Sequence, residues 1–261
     1  MYSKQSMQQG DFSSLASEYI HRTGYSLSIL NALSRYAKLD SHEAITADVG
    51  AGTGKLTENL VELGFKGFAV EPNDAMRSEG VKLCGNSSFV WSKGSAEKTL
   101  LPDSCVDWVL MGSSFHWTDS KSALKEFHRI LKPGGFFVAL WNPRNLESSA
   151  FHMEIEKKIY EQVPGLKRVS SGNSQYTKDL NEELVQGGYF KDPLFMEAAY
   201  TIEMTKERYL GAWKSVNDIR AQAGEEIFQE IISYISDKIS GMNSVIVPYK
   251  TRAWIVQAVE N

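Results

Sequence analysis

The chain has 261 residues, of which 42% are apolar and 23% are charged, so one large domain with a sizeable core can form. A net charge of −4 gives no positive field for a polyanion, which argues against nucleic acid as a partner. The two cysteines, the polar N-terminus and the lack of about 18 consecutive apolar residues predict a cytoplasmic protein without disulfides or a membrane span.

The first half of the chain changes from helical to alternating character. Apolar residues follow helical spacing over residues 11–39. From residue 44 to residue 142, short apolar runs predict strands over 45–49, 67–70, 88–91, 106–111 and 136–141. Amphipathic stretches between them predict helices over 54–63, 74–84 and 120–131. Strands that alternate with helices predict a parallel sheet covered on both faces.

The second half is less regular. It predicts helices over 151–162 and 181–187, a loop over 163–178 and a mostly helical stretch over 206–239. Strands are predicted over 195–204 and over 244–259, the latter broken near Pro248. Because two late strands leave no room for a crossover helix, we expect an antiparallel edge. The predicted fold is a doubly wound, Rossmann-like α/β domain with seven strands, mostly parallel, and a helical cap.

A glycine-rich loop follows the first predicted strand and opens a helix, in the order Asp48-Val49-Gly50-Ala51-Gly52-Thr53-Gly54. Glycines at alternate positions let the backbone turn sharply and approach a ligand closely. Glu71 ends the second strand, 17 residues after Gly54, and an acid there accepts hydrogen bonds from ribose hydroxyls in doubly wound folds. The combination predicts a nucleoside-containing cofactor.

Glycine-rich loops of this kind also occur in dinucleotide sites, in Walker phosphate sites and in tight turns that bind no ligand. A dinucleotide fingerprint requires a further glycine where Lys55 stands, and a Walker loop requires Ser or Thr where Leu56 stands. The alternatives for the whole protein are accordingly a nucleotide-cofactor oxidoreductase and a protein that binds the cofactor without catalysis.

Further motifs follow in order, namely Val70-Glu71-Pro72 with Met76, Gly94-Ser95-Ala96-Glu97 before Leu101-Pro102, the strand 106–111, and Leu131-Lys132-Pro133-Gly134-Gly135. With the glycine loop, this set resembles the class I S-adenosylmethionine (SAM)-dependent methyltransferases, specifically the methyltransferase type 11 family. The resemblance is close over residues 44–142. It implies an N-terminal helical lid over 1–43, a SAM-binding core over 44–142, and a helical cap with the last two strands over 143–261, all within one domain.

The resemblance also implies which residues bind SAM. Asp48 and the loop glycines Gly50, Gly52 and Gly54 would hold the methionine portion, and Glu71 would bind the ribose. The residues implied near the adenine are Pro72, Met76, Ser95 and Ala96. Ser95 departs from a common version of the pattern, which has Asp there, although a serine hydroxyl can still accept a hydrogen bond.

The residues after the fourth strand, Ser113 to Trp117, would face the methyl group. Their His116-Trp117 pair resembles a subgroup of small-molecule methyltransferases that includes trans-aconitate methyltransferase. The subgroup's entry segment, which folds over the SAM site, matches here at Tyr19, Arg22 and Tyr25. The set assigned to the cofactor therefore includes Tyr19, Arg22 and Ser113.

Methyl transfer needs alignment, and it needs a base only when the acceptor loses a proton. His116 is the candidate catalytic residue, either as a base or as a group that orients the acceptor. Candidates for contact with the acceptor are Tyr25, Trp117, Trp141 and Arg144. Arg22 or Arg144 could pair with an anionic acceptor, although both could be surface or capping arginines. Three further aromatic residues either line the acceptor pocket or only pack against their neighbours, namely Tyr176, Trp213 and Tyr249.

The sequence thus predicts transfer of a methyl group from SAM, with S-adenosylhomocysteine (SAH) as product, to a small-molecule acceptor through oxygen, with a carboxylate favoured. The histidines show no metal-ligand spacing, so no metal is expected. The partner would be the acceptor alone, without nucleic acid or membrane, and the protein would be a monomer or homodimer.

Overall fold

A computed structural model describes residues 16–168 and 177–260. Seven strands form one sheet in the order β3-β2-β1-β4-β5-β7-β6. The first five strands pair in parallel, and β7 pairs antiparallel to β5. The strands are β1 (Ile45–Val49), β2 (Lys66–Val70), β3 (Phe89–Ser92), β4 (Val106–Gly112), β5 (Leu131–Trp141), β6 (Phe190–Met204) and β7 (Val245–Ala258). The predicted doubly wound fold with an antiparallel addition is confirmed.

The helices among the described residues are α1 (Ala16–Tyr19), α2 (Leu27–Tyr36), α3 (Lys55–Glu62), α4 (Asp74–Cys84), α5 (Ser120–Ile130), α6 (Ala150–Gln162), α7 (Leu180–Val185), α8 (Lys206–Lys214), α9 (Asn217–Ala223) and α10 (Glu225–Ile239). Alternate residues of β4 enter different cores. Val109 and Met111 pack in a cluster with α5, whereas Trp108 and Leu110 pack in a cluster with α2 and α3. Both faces of the parallel strands are therefore buried, which explains their continuous apolar runs.

The late strands differ from the predicted ones. β6 begins at Phe190, five residues earlier than expected, and it includes Pro193. Proline lacks the N–H of a ladder bond but is tolerated here because β6 lies at the edge of the sheet. β7 continues through Pro248, where a break was expected. Pro248 precedes the segment 252–257 that pairs with β5, so its missing N–H interrupts none of those bonds.

The predicted helical stretches are divided more finely than expected. The helical N-terminal region contains α1 and α2, separated by residues 20–26, and the region 206–239 contains three helices. Part of the loop predicted over 163–178, with Tyr176, lies outside the described residues. No helix in the described ranges is both long and apolar enough to cross a bilayer.

The chain divides into two compact units. Among the described residues, the sheet unit comprises 24–142, 177–198 and 251–260, and it contains the glycine loop and the parallel strands. The helical unit comprises 16–23, 143–168 and 199–250, with a core formed by α6, α8, α9, α10 and parts of β6 and β7. The arrangement into lid, core and cap stays a prediction.

Candidate functional site

The glycine loop adopts the backbone conformation that its composition predicts. Gly50, Gly52 and Gly54 have φ of 70°, 58° and 85° in the left-handed region that disfavours side chains. A Cβ at Gly50 would lie 2.7 Å from the Ser114 hydroxyl oxygen. The amides of Gly50 and Ala51 both donate to the carbonyl of Val70, at 2.8 and 3.1 Å. The loop is therefore held to the end of β2 by its own backbone.

Asp48 lies fully buried at the end of β1, directly before this loop. One carboxylate oxygen, Oδ2, accepts the hydroxyl of Thr57 at 2.6 Å, whereas Oδ1 is buried and has no hydrogen-bond partner among the described residues. Burial raises the pKa of Asp48 to about 7, and the Thr57 hydroxyl opposes the rise. A buried acceptor without a partner destabilises the empty protein and is a ready contact for a cationic ligand group.

Glu71 connects the glycine loop to the start of α4. Its Oε2 accepts the amide of Gly52 at 2.9 Å, and its Oε1 accepts the amide of Asn73 at 2.8 Å. Burial raises the pKa of Glu71, and these two backbone amides, first Asn73 and then Gly52, oppose the rise. Each carboxylate oxygen has a second lone pair, so the pair can still accept two hydroxyl groups.

The residues predicted near the adenine lie around the ends of β2 and β3. Met76 is buried in the first turn of α4, and its methyl carbon would lie 3.4 Å from a Cβ at Gly52. The amide and carbonyl of Ser95 pair with those of Lys98 in a tight turn, and Ala96 packs in the same core as Val70.

Two neighbours of this group are less enclosed. Pro72 is exposed at the end of β2. The Glu97 carboxylate accepts the amide of Asp119, the N-cap residue of α5, at 3.0 Å. Glu97 thus serves as a helix-end contact.

The end of β4 brings together Ser113 and Tyr25. Ser113 has a φ of 55°, and its hydroxyl oxygen accepts the hydroxyl of Tyr25 at 3.0 Å. The amide of Tyr25 donates to the side-chain oxygen of Asn59 at 2.6 Å. Residues from three separate segments thus meet at the carboxyl end of the parallel strands, where doubly wound folds bind ligands.

His116 lies in a short 3₁₀ helix, Phe115–Trp117, directly after β4. The indole N–H of Trp141, at the end of β5, donates to its Nδ1 at 3.2 Å. The Trp117 ring lies 4.8 Å from the imidazole, centroid to centroid. Burial lowers the pKa of His116 to about 4, so the ring is neutral at physiological pH. Because Nδ1 accepts a hydrogen bond from Trp141, we assign the hydrogen of the neutral ring to Nε2.

Tyr19, Arg22 and Arg144 belong to the helical unit. The Arg22 guanidinium lies over the Tyr19 ring, 3.9 Å from its centroid, and donates to the hydroxyl and carbonyl oxygens of Ser215. Arg144 lies over the ring of Trp213 at 3.9 Å. The roles predicted for Tyr19 and Arg22 at the cofactor stay predictions.

The residues of the sheet unit fit SAM on three observations. The loop has no room for side chains at Gly50, the buried Asp48 Oδ1 lacks a partner, and the Glu71 carboxylate has spare lone pairs. Asp48 thus suits the ammonium of the methionine portion, and Glu71 suits the ribose hydroxyls. No cluster of three His, Cys, Asp or Glu side chains that could hold a metal occurs within residues 16–168 and 177–260.

Comparisons with known proteins agree with this geometry. Residues 47–139 match the family model described as a methyltransferase domain. An uncharacterized methyltransferase from Schizosaccharomyces pombe is 31% identical over 189 residues, which cover 70% of each chain. The chain belongs to the class I SAM-dependent methyltransferases.

Other matches of this methyltransferase are shorter or more distant. An uncharacterized methyltransferase from Mycobacterium tuberculosis is 42% identical over 98 residues, 38% of this chain and 40% of its own. The chain thus spans about two fifths of the length of that curated relative. A phosphoethanolamine N-methyltransferase from Haemonchus contortus, solved with SAH, matches with a TM-score of 0.54 and 14% identity, over 100% of this chain and 61% of its own. At this identity the likeness shows the fold.

Two residues that support the methyltransferase site were not predicted. Thr57 fixes Asp48, and Asn73 caps α4. Asn73 could have been found from sequence, because Asn directly before Asp-Ala at a helix start is a common N-cap. Thr57 could not, because its partner is fixed only by the folded loop. Ser114 lies in the segment predicted to face the methyl group, and it packs against Gly50.

Proposed function

We propose that this protein transfers a methyl group from SAM to an oxygen of a small-molecule acceptor, and that the oxygen belongs to a carboxylate. The glycine loop, with Glu71 bonded to Gly52, is the observation that carries the SAM part of the proposal. The neutral imidazole of His116, hydrogen-bonded to Trp141, is the observation that favours the carboxylate.

The cofactor would be held by the sheet unit. Asp48 would accept the ammonium of the methionine portion, and Glu71 would accept the ribose hydroxyls, with Pro72, Met76, Ser95 and Ala96 at the adenine. A cation beside Asp48 lowers the pKa of its carboxyl, so binding would convert it to the charged form. When bound, SAM supplies an electrophilic methyl group on a sulfonium, and the sulfur keeps the electron pair of the broken bond.

The acceptor chemistry follows from the imidazole. A base is required only if the acceptor must lose a proton as it attacks. His116 has its Nδ1 bonded to Trp141, and burial holds its pKa near 4, which makes the neutral ring a weak base. A carboxylate already carries the attacking electron pair and forms its ester without proton transfer. His116 would then orient the acceptor, with Trp117 and Trp141 as its support and Tyr25 and Ser113 beside it.

A screen of acceptor classes tests this proposal. Carboxylic acids, phenols, alcohols and amines would each be incubated with methyl-labelled SAM, and label and SAH would be measured together. We expect label in base-labile esters of a carboxylic acid, with equimolar SAH. Label in amines or carbon alone would refute the carboxylate, and SAM binding without SAH in any class would favour a non-catalytic binder.

The remaining predictions belong to the same proposal. They are membership of the subgroup that includes trans-aconitate methyltransferase, a cytoplasmic location, and a monomer or homodimer without nucleic acid as partner. The two cysteines, Cys84 and Cys105, are free thiols, in keeping with a reducing compartment.

A further inference from the structure

The helical unit buries a group of polar side-chain atoms that have no hydrogen-bond partner among the described residues. His152 lies in α6, and Tyr209 and Trp213 lie one turn apart in α8; all three are at most 1% exposed. The His152 Nε2, the Tyr209 hydroxyl and the Trp213 Nε1 each lack a hydrogen-bond partner within the described residues. The Tyr209 ring centroid lies 5.9 Å from that of His152 and 6.4 Å from that of Trp213. Three unpartnered polar groups so close together are expensive to bury.

The tautomer of His152 decides whether its Nε2 is a donor. The Ser149 hydroxyl oxygen caps α6 by accepting the His152 amide at 3.4 Å, and it lies 2.8 Å from the imidazole Nδ1. In the tautomer that the proposal below uses, the Ser149 hydroxyl donates to Nδ1 and the ring hydrogen lies on Nε2. Burial, followed by the charge of Arg144, lowers the pKa of His152 to about 4, so the ring is neutral.

Arg144 adds a positive charge to this group. Its guanidinium lies over the Trp213 ring at 3.9 Å, and within the described residues it makes no hydrogen bond or ion pair. Its charge acts on both His152 and Tyr209. At His152 it adds to the effect of burial, which also lowers the pKa, whereas at Tyr209 it opposes the larger effect of burial, which raises the pKa. The Trp213 N–H opposes the rise at Tyr209 without reaching hydrogen-bond geometry.

One carboxylate of α6, that of Glu156, acts on Tyr209 by its charge but is bonded elsewhere. Glu156 of α6 accepts both of its bonds from Arg168, at 2.9 and 3.0 Å, and Arg168 also pairs with Asp218 at 3.0 Å. Among the described residues, one buried arginine thus pairs with two acids, and Arg144 pairs with none.

We propose that Arg144, His152, Tyr209 and Trp213 form a binding site for a small-molecule carboxylate. A guanidinium matches a carboxylate in two parallel bonds, and the three neutral donors can satisfy its remaining lone pairs. The site, called here the carboxylate pocket, lies wholly within the helical unit. A phosphate carries more charge than one guanidinium neutralises, which favours the carboxylate.

The indole N–H of Trp213 provides a direct readout. The chain has six tryptophans, so a ¹H–¹⁵N spectrum of the SAH-saturated protein shows the indole signals in an uncrowded region, and Trp213→Phe assigns one of them. Acetate, succinate, acetamide and methyl phosphate would be titrated in turn at constant ionic strength. We expect a saturable downfield shift of the Trp213 signal with the carboxylates and none with the neutral acetamide.

Two variants and a control separate binding from structure. Arg144→Gln should weaken the carboxylate-induced shift at least tenfold. Arg220→Lys is the matched control, because Arg220 also lies over an aromatic ring, Phe228 at 4.4 Å, but is paired with Glu225. This control should titrate as the wild type. Tyr209→Phe should unfold at the same or a higher temperature without ligand, since it removes an unpartnered hydroxyl, yet should also bind carboxylates more weakly.

The outcomes are distinct from those of the proposed function. A Trp213 signal that no carboxylate moves, that moves equally in Arg144→Gln, or that moves only with methyl phosphate would overturn the carboxylate pocket. A Tyr209→Phe protein that is clearly less stable without ligand would show a satisfied hydroxyl and would also overturn it. SAM binding by calorimetry is measured separately, so its failure would count against the proposed function and leave the indole titration to decide on the pocket.

Discussion

The cofactor site and the carboxylate pocket of this methyltransferase differ in how far their polar groups are satisfied. Around the glycine loop, Glu71 accepts the amides of Gly52 and Asn73, and Asp48 Oδ2 accepts the Thr57 hydroxyl, whereas Asp48 Oδ1 has no partner among the described residues. In the carboxylate pocket, the three polar atoms beside Arg144 all lack a hydrogen-bond partner within the described ranges. A site whose contacts are mostly satisfied in advance binds one fixed ligand. A site with several unsatisfied donors depends on a ligand to complete it.

The two sites also differ in which parts of the chain supply their contacts. The cofactor contacts use backbone amides and glycines over a short stretch of chain, whereas the carboxylate pocket uses side chains from separate segments. A family can keep the first and vary the second, which is consistent with a common cofactor and differing acceptors. Substitutions that remove single parts of each site test the comparison, and they follow in order of expected effect.

The largest effect is expected at Gly50. Gly50→Ala places a Cβ 2.7 Å from the Ser114 oxygen at a φ of 70°, so the loop must move. We expect SAM affinity to fall at least about a hundredfold, or roughly 2.7 kcal/mol. Gly188→Ala is the control, because it has a φ of 74° with nothing within 4 Å of its Cβ. Calorimetry showing equal losses in both variants would indicate general backbone strain.

Removing the acid of the sheet unit should have the next largest effect. Glu71→Ala deletes the acceptor for the ribose and frees the Gly52 amide, so affinity for SAM should fall by roughly ten- to a hundredfold. Glu71→Gln keeps one acceptor oxygen and should lie between that variant and the wild type. Unchanged calorimetric affinity in a folded Glu71→Ala protein would place the ribose elsewhere.

Asp48 should give the empty protein an unusual pH dependence. Its native pKa near 7 exceeds its ordinary value of 3.8, so the native state binds a proton between these values and the unfolded state does not. This contribution to stability is therefore present at low pH and lost as the pH rises towards 7. His116 acts oppositely, since its lowered pKa removes stability as the pH falls from 6.5 towards 4.

The variant Asp48→Asn isolates this effect. Its free energy of unfolding, relative to wild type, should rise by about 2 kcal/mol between pH 5 and pH 7 in denaturant titrations without SAM. Both proteins have the same histidines, so the contributions of these histidines to the free energy of unfolding cancel in this difference. A difference that stays constant with pH would show that Asp48 is charged throughout. With saturating SAM the wild type should regain the advantage, because the ammonium stabilises the carboxylate.

The two sites also differ in how far the sequence alone predicts them. The glycine loop, Glu71 and the parallel strands follow from local patterns, because backbone conformation and strand burial depend on neighbouring residues. The carboxylate pocket does not follow from such patterns. Arg144 and Trp213 were noticed singly, but His152 and Tyr209 gain meaning only when α6 and α8 pack. The break predicted near Pro248 was wrong, because proline weakens a strand only where its missing N–H is needed for a ladder bond.

The smallest effect is expected at His116. His116→Gln should reduce turnover with a carboxylate acceptor about tenfold and leave SAM affinity unchanged, because one orienting hydrogen bond is lost. The wild-type rate should stay level between pH 6 and pH 8, since the imidazole is already neutral there. A general base of ordinary pKa would instead give a rate that rises through this range and a loss of about 10²–10⁴-fold on substitution.

The identity of the cofactor is the claim on which all of these depend, and a calorimetric titration of the wild-type protein tests it most directly. SAM, SAH and NAD would be titrated separately into the same preparation. We expect SAM and SAH to bind in one-to-one ratio and NAD to give no heat of binding. Binding of NAD without binding of SAM or SAH would contradict this claim and would reassign the glycine loop to a dinucleotide.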